Sequence, residues 1–233
     1  MNIVITGASK GIGFETALSL AGNSRNHVIA LSRDAQGLAR LAKAAADKGY
    51  NNLSTYPANL LNLTAKDVQD IFAEYKQVDV LVNNAGILIN KPFAETTIED
   101  WQSVFNTNLF ATVNLVQLLL PYMSHNELSH IVNIGSMGGF TGTSKFNGLS
   151  AYSASKAALG NLAETLAEEL KEYNIRVNCL ALGSVNTSML QDAFPGYKAP
   201  VDSADMAKFI AYFCQQAHHF INGKILPISV TTP

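Results

Sequence analysis

Asn2-Ile3-Val4-Ile5-Thr6-Gly7-Ala8-Ser9-Lys10-Gly11-Ile12-Gly13 is the stretch whose reading decides the fold. A short β-prone run enters a glycine-studded segment, and a helical pattern starts at once, with Phe14, Ala17, Leu18 and Ala21 on one face. Strand, glycine turn and helix together form the setting in which such glycines hold a nucleotide. They allow a tight turn and close backbone approach, and the helix N-terminus offers free N–H groups to a pyrophosphate. The glycine spacing alone is weak evidence. The next strand, His27-Val28-Ile29-Ala30-Leu31, completes a βαβ unit and strengthens it.

Working outward, Ser32 and Arg33 stand at the end of that second strand. A dinucleotide fold reads the adenosine ribose here, with an acidic residue for a free 2′-hydroxyl and an Arg for a 2′-phosphate. Ser32 does not repel a phosphate, Arg33 can pair with one through its planar fork, and Lys10 can add a second cation. The bland alternative is a surface Arg neutralised by Asp34. The alternation then continues through an Ala-rich helix over 35–49, a strand Leu53–Pro57, a helix over 64–75 and an apolar strand Val78–Val82. That strand ends in Asn83-Asn84-Ala85-Gly86, small and polar residues where open α/β sheets bind ligands. A long helix over 98–122, strands His130–Ile134 and Arg176–Ala181, a helix over 203–215 and a strand over 224–230 follow. Regular strand–helix alternation without a linker or repeat predicts a single α/β domain over 1–233, a doubly wound, Rossmann-like, mostly parallel sheet.

Between the fifth and sixth strands lies Tyr152-Ser153-Ala154-Ser155-Lys156. Ala157, Leu159, Leu162, Leu166 and Leu170 continue it with helical spacing, so Tyr152 and Lys156 fall one turn apart on one face. A free phenol titrates near ~10. A cation beside it favours the phenolate, so Lys156 is expected to lower the Tyr152 pKa toward the range of general acid–base work. Taken alone, the pair reads as readily as a solvated helix face.

Composition narrows the function classes. The 233 residues are 48% hydrophobic and 15% charged with a formal net charge of −2, which gives no electrostatic case for nucleic acid. Few charges fit a surface partly covered in an oligomer. Cys179 and Cys214 lie far apart and form no redox or metal-spaced pair, as in a reduced cytoplasmic protein. Residues 2–6 already read as a core strand rather than a signal peptide. The longest near-apolar run, Leu109 to Met123, contains Asn114 and Gln117 and is expected to fall short of a membrane span.

TGASKGIG at 6–13, NNAG at 83–86, Asn108, Ser136 and YSASK at 152–156 occur in an order and spacing that resemble the short-chain dehydrogenase/reductase family over nearly the whole chain. The resemblance implies a sheet of about seven strands, NADP(H) as cofactor, and hydride exchange between a nicotinamide and a carbonyl or alcohol. It implies Tyr152 as the proton donor or acceptor and Lys156 as holder of the nicotinamide ribose. Ser136 would bond the substrate oxygen, and Asn108 would hold a water linking Lys156 to solvent. Gly7, Ser9, Lys10, Gly11, Ile12 and Gly13 would surround the pyrophosphate. Ser32 and Arg33 would take the 2′-phosphate. Asn83, Ala85 and Gly86 would lie along the adenosine ribose, and Val185 and Thr187 at the carboxamide. Dimers or tetramers joined through the long helix and the Tyr152 helix are implied as well.

Four departures from the family pattern stand out. Asn59-Leu60 replaces the usual Asp beside the adenine, though the Asn59 carbonyl can still accept a bond. Leu182-Gly183 replaces Pro-Gly. The loop containing Thr143-Ser144-Lys145-Phe146-Asn147-Gly148 is longer than is common. The Ser229-Val230-Thr231-Thr232-Pro233 ending lacks Asp-Gly-Gly. Leu88, Ile89, Met137, Phe140, Leu149, Met189, Leu190 and Phe194 are expected at an apolar substrate mouth, favouring a modest hydrophobic carbonyl compound over a sugar. The chain is similar to 3-oxoacyl-carrier-protein reductases. However, Glu164, Glu168, Glu169 and Glu172 follow Tyr152 with only Lys171 opposing them, and Glu127 is accompanied by His125 and His130. Such a surface repels an acidic carrier. A third reading, a non-catalytic NADP(H) sensor, conflicts with the presence of both Tyr152 and Lys156.

Overall fold

The computed structural model describes residues 1–123 and 127–230; His125 and the Thr231-Thr232-Pro233 end lie outside the described residues. The strands are β1 (Asn2–Thr6), β2 (His27–Ser32), β3 (Leu53–Pro57), β4 (Val80–Asn83), β5 (Ser129–Ser136), β6 (Ile175–Leu182), β7 (Val185–Asn186), β8 (Val201–Asp202) and β9 (Ile225–Ile228). Seven of them form one sheet in the order β3-β2-β1-β4-β5-β6-β9. Every neighbouring pair in it is parallel, where the sequence predicted a mostly parallel sheet. The chain builds outward from β1 to β3, then returns to the other side of β1 as β4. The crevice at that reversal lies at the C-terminal ends of β1 and β4, where the glycine turn and the 83–86 segment sit.

The principal helices are α1 (Gly11–Ala21), α2 (Ala35–Asp47), α3 (Ala65–Phe72), α4 (Ile98–Phe105), α5 (Ala111–Leu119), α6 (Ser150–Glu169), α7 (Ser188–Ala193) and α8 (Ser203–Gln216). Both faces of the sheet are covered, and alternate residues of each strand serve different faces. Ile3, Ile5, Val28 and Val82 pack toward Leu18 of α1, Leu38 of α2 and Ile210 of α8. Val4, Ile29, Leu81 and Ile131 pack toward Phe72 of α3, Leu115 of α5 and Ala163 of α6.

The elements differ from expectation in instructive places. α3 stops at Phe72 rather than 75, because Tyr75 turns its hydroxyl to His27 Nε2 (2.9 Å) and Ser54 Oγ (3.3 Å). The 98–122 helix is interrupted by a π-helical turn, Asn106–Phe110. Counted whole, Ile98–Tyr122 is long and apolar enough to cross a membrane by length and composition, contrary to the reading of its 109–123 part. In this fold it serves as a core helix, with Val104, Leu115 and Leu119 fully buried. The β7–β8 pair and α7 have no counterpart in the expected elements. They fold over the cleft after β6.

Candidate active site

A cleft of about 1140 Å³ runs along the C-terminal edge of the sheet. At its nucleotide end, Gly7 adopts φ +66°, and a Cβ there would lie 2.8 Å from Ala85 Cα. Glycine is therefore required by both conformation and space. Asn84 fastens the β4 end to this turn. Its Nδ2 donates to Thr6 O (2.9 Å) and its backbone N–H to Thr6 Oγ1 (3.0 Å), beside a matching bond from Ala85 N (2.9 Å).

Gly7, Ser9, Lys10, Gly11, Ile12, Gly13, Ala85 and Gly86 all line the cleft, and Asn83 does not. Asn83 points into the sheet and donates to Asn133 Oδ1 (2.9 Å), because the strand alternation gives the outward position to Asn84. The placement of Asn83 along the ribose is corrected accordingly. The cleft-facing residue is Asn84, which sequence reading passed over although it is the next letter of the same motif.

Ser32, Arg33, Asn59 and Leu60 line the outer part of this end. Ser32 Oγ donates to Ser9 Oγ (3.0 Å), joining strand end and glycine turn. Asp34 does not neutralise Arg33. It accepts from Gly37 N (2.9 Å) as the α2 cap and lies 3.7 Å from Arg40. Among the described residues, Lys10 and Arg33 form no ion pair. Asn59 Oδ1 caps the following turn by accepting from Leu61 N (3.3 Å), and Asn114 Nδ2 pins that turn through Leu60 O (2.8 Å) and Leu63 O (3.1 Å). Val185 and Thr187 face this end from the far side. Thr187 Oγ1 caps α7 through Leu190 N (3.2 Å), and its methyl lies 3.5 Å from the position of a Cβ on Gly11.

Tyr152, Lys156 and Ser136 occupy one wall. The turn carrying Ser136 is pressed onto α6 at Gly139, where a Cβ would lie 2.5 Å from Ala157 N. Ser136 Oγ accepts from Gly138 N (3.1 Å). The packed surroundings push the Tyr152 phenol above its ordinary value, and a hydrogen bond with Ser136 pulls the other way. The expected lowering by Lys156 is overturned: burial outweighs it, and the Lys156 ammonium donates to Ile134 O (2.8 Å), 5.9 Å from the Tyr152 ring centre. Burial in turn brings Lys156 down to about 8.

Asn108 does not line the cleft; it is fully buried, presented by the π-helical turn. Its Oδ1 accepts from Ile87 N (2.8 Å), and its Nδ2 donates to Ile87 O (3.0 Å) and Ser155 Oγ (2.9 Å). Ser155 Oγ donates onward to Tyr152 O (2.7 Å). Gly86 lies between Asn108 and Lys156, its Cβ position 3.2 Å from Asn108 Oδ1 and 3.4 Å from Lys156 Nζ. Asn108 thus ties the segment after β4 to the helix that bears Tyr152. Ser155 is a buried participant that no spacing rule had singled out.

At the open end, Leu88, Met137, Leu149, Met189, Leu190 and Phe194 line the cleft as expected, joined by Phe146. Ile89 and Phe140 do not. Glu99, Gln102, Ser103 and Asn106 also face it. Their helical spacing forms one polar stripe, a signal present in the sequence but unread.

The family model for short chain dehydrogenases matches residues 1–198. An uncharacterized oxidoreductase of Staphylococcus saprophyticus is 33% identical over 93% of this chain and 92% of its own. A 3-oxoacyl-[acyl-carrier-protein] reductase of Thermotoga maritima is 36% identical over 81% and 75%. A Shigella flexneri protein described as a short chain dehydrogenase, solved with NADP, superposes with a TM-score of 0.86 at 29% identity, covering 97% of this chain and 95% of that one. With its glycine turn, its parallel sheet and its tyrosine–lysine wall, this chain belongs to the short-chain dehydrogenase family of oxidoreductases.

Proposed function

We propose that residues 1–233 form one catalytic domain, an NADP(H)-dependent oxidoreductase that interconverts a carbonyl compound and its alcohol. The observation that carries the reading is the shared cleft wall on which Tyr152, Ser136 and Lys156 converge. When bound, the nicotinamide cofactor supplies or accepts the hydride. Tyr152 gives its proton to the substrate oxygen in reduction and takes it back in oxidation. Ser136 hydrogen-bonds that oxygen where negative charge develops. Lys156 sets a cation beside the phenol as it loses its proton, stabilising the phenolate.

The nucleotide end fits a 2′-phosphorylated cofactor. Ser9 and Ser32 offer hydroxyls, Lys10 and Arg33 offer cations without ion pairs among the described residues, and Asp34 is occupied by Gly37 and Arg40. The S. flexneri structure solved with NADP supports the same choice. The substrate is read as a free, apolar carbonyl compound, supported by the Met137, Leu149, Leu190 and Phe194 lining. Half-exposed Phe110, on the outer face of the long helix, supports assembly into homodimers or homotetramers. Free, buried Cys179 and Cys214 accord with a reducing cytoplasm.

Similarity to the T. maritima protein favours a second reading, reduction of a carrier-bound 3-oxoacyl thioester. A ketone and thioester panel followed by NADPH absorbance, with NADH alongside, tests both. NADPH-dependent turnover of free apolar ketones is expected. Equal turnover of carrier-bound and free acetoacetyl thioesters would install the second reading, and turnover with NADH alone would remove the 2′-phosphate assignment.

A further inference from the structure

We propose that Asn90 is a positioning residue that sets substrate specificity by latching α7 to the loop before α6 over the substrate end of the cleft. The inference rests on the oxidoreductase reading above. Asn90 Nδ2 donates to Ala193 O (2.6 Å), the last residue of α7. Its Oδ1 abuts Gly148, so closely that a Cβ on Gly148 would displace it. The next residue repeats the tie, Lys91 N donating to Gly148 O (2.9 Å). Gly148 itself adopts φ +81°, a conformation that suits glycine. Three segments from distant parts of the chain therefore meet at one exposed amide: the loop after β4, the long loop before α6, and α7.

What the latch holds in place is apolar. Phe146 of the loop and Phe194 after α7 meet edge to face, their centres 6.4 Å apart, and both line the cleft with Met189 and Leu190. Asn90 itself does not line the cleft. It acts only by keeping Phe146 and Phe194 together, so its contribution scales with the apolar surface a substrate presents to them. A small ketone is indifferent to the latch, whereas one bearing a phenyl or alkyl group depends on it. The donor is what matters. Asp at position 90 keeps the shape but removes the N–H and sets a carboxylate against the Ala193 carbonyl.

The test uses Asn90→Ala, Asn90→Asp and Gly148→Ala in the full chain, with NADPH and two ketones differing in apolar substituent. Asn90→Ala and Asn90→Asp are expected to raise KM for the larger ketone about 5-fold, the size of one hydrogen bond. kcat and the NADPH Kd should stay within about two-fold. Amide hydrogen exchange at Phe194 and Tyr197, which donate to Leu190 O and Phe194 O, should quicken about as much. Gly148→Ala should act in the same direction, and adding Asn90→Ala to it should change little, since both release one latch. Unchanged KM and exchange in the Asn90 variants, full rescue by Asp, or strict additivity with Gly148→Ala would each overturn the latch. If the wild type turns over no ketone, the functional reading fails, while hydrogen exchange still decides the latch.

Discussion

Two lysines stand on opposite sides of the cleft and are treated in opposite ways. Lys156, in the floor, is 5% exposed, gives a single hydrogen bond to Ile134 O, and is pushed by burial down to about 8. Lys145, in the roof, is exposed and donates to Gly138 O (3.0 Å), Phe140 O (2.6 Å) and Thr143 Oγ1 (3.0 Å). A cation kept from water with one neutral partner is held at an electrostatic cost, and such costs concentrate where chemistry is done. A cation in water with three acceptors organises a loop. The floor is a buried network, Lys156–Ile134 and Asn108–Ser155–Tyr152, and the roof is a set of exposed single bonds.

The sharpest way to break this contrast is to remove the floor's proton carrier. Tyr152→Phe should lower kcat by roughly 10²–10⁴-fold, the usual worth of a positioned acid–base group. NADPH binding, followed by fluorescence, should persist. Retained turnover would move the proton step elsewhere and leave the floor merely structural.

Lys156 comes next. Its folded-state value lies below the ordinary 10.5, so between pH 8 and 10.5 the unfolded chain binds the extra proton. Stability from this group therefore rises with pH across that window, and below pH 8 the cost is present in full, at most about 3 kcal/mol. Lys156→Met removes that rise while leaving Ile134 O without its donor, a loss of about 1–3 kcal/mol. Stability near pH 7 should thus change little while activity collapses. Subtracting denaturation curves of variant and wild type across pH 8 to 10.5 isolates the effect from Tyr152, Cys179 and Cys214. Those groups are raised by burial and lose stability as pH climbs. Parallel curves would show that Lys156 is not held down in the fold.

Arg33 is a third kind of cation, on the surface like Lys145 but without an ion pair among the described residues. On the reading proposed above, its acceptor is the 2′-phosphate. Arg33→Ala should weaken NADPH about 10- to 100-fold, as for a charge-assisted bond, and spare NADH. Equal losses for both cofactors in titration would return Arg33 to the ordinary surface.

The floor was legible in the sequence because its parts are close together in the chain or fixed by geometry. Gly7 and Gly13 announce the turn, and Tyr152 and Lys156 share a helix face. Their surroundings were less legible. Whether Asn83 or Asn84 faces the cleft depends on one step of strand register. The direction of the Tyr152 shift depends on how much protein surrounds the phenol, which spacing cannot reveal. The π-helical turn that presents Asn108 hides inside an unbroken helical pattern. The roof was the least legible part. Asn90, Phe146, Gly148 and Ala193 meet only through long-range contacts between loops, and loops carry no periodicity to read.

Lys145→Met is the mildest probe, and it tests the roof on its own terms. The exposed ammonium exchanges three protein acceptors for water, so little free energy separates the two states. The loop also has a second tie: Thr143 Oγ1 donates to Met137 O (2.6 Å) and Phe140 O (3.0 Å) independently of the lysine. A KM rise of about two-fold, with kcat unaltered and Tm lowered by no more than ~2 °C, is expected from steady-state kinetics and thermal melts. A large loss of kcat would mean something else. Lys145 holds the carbonyl of Gly138, whose N–H is the donor to Ser136. Such a loss would show that this short path carries the roof's geometry into the reacting wall, and the division between floor and roof would give way at Gly138.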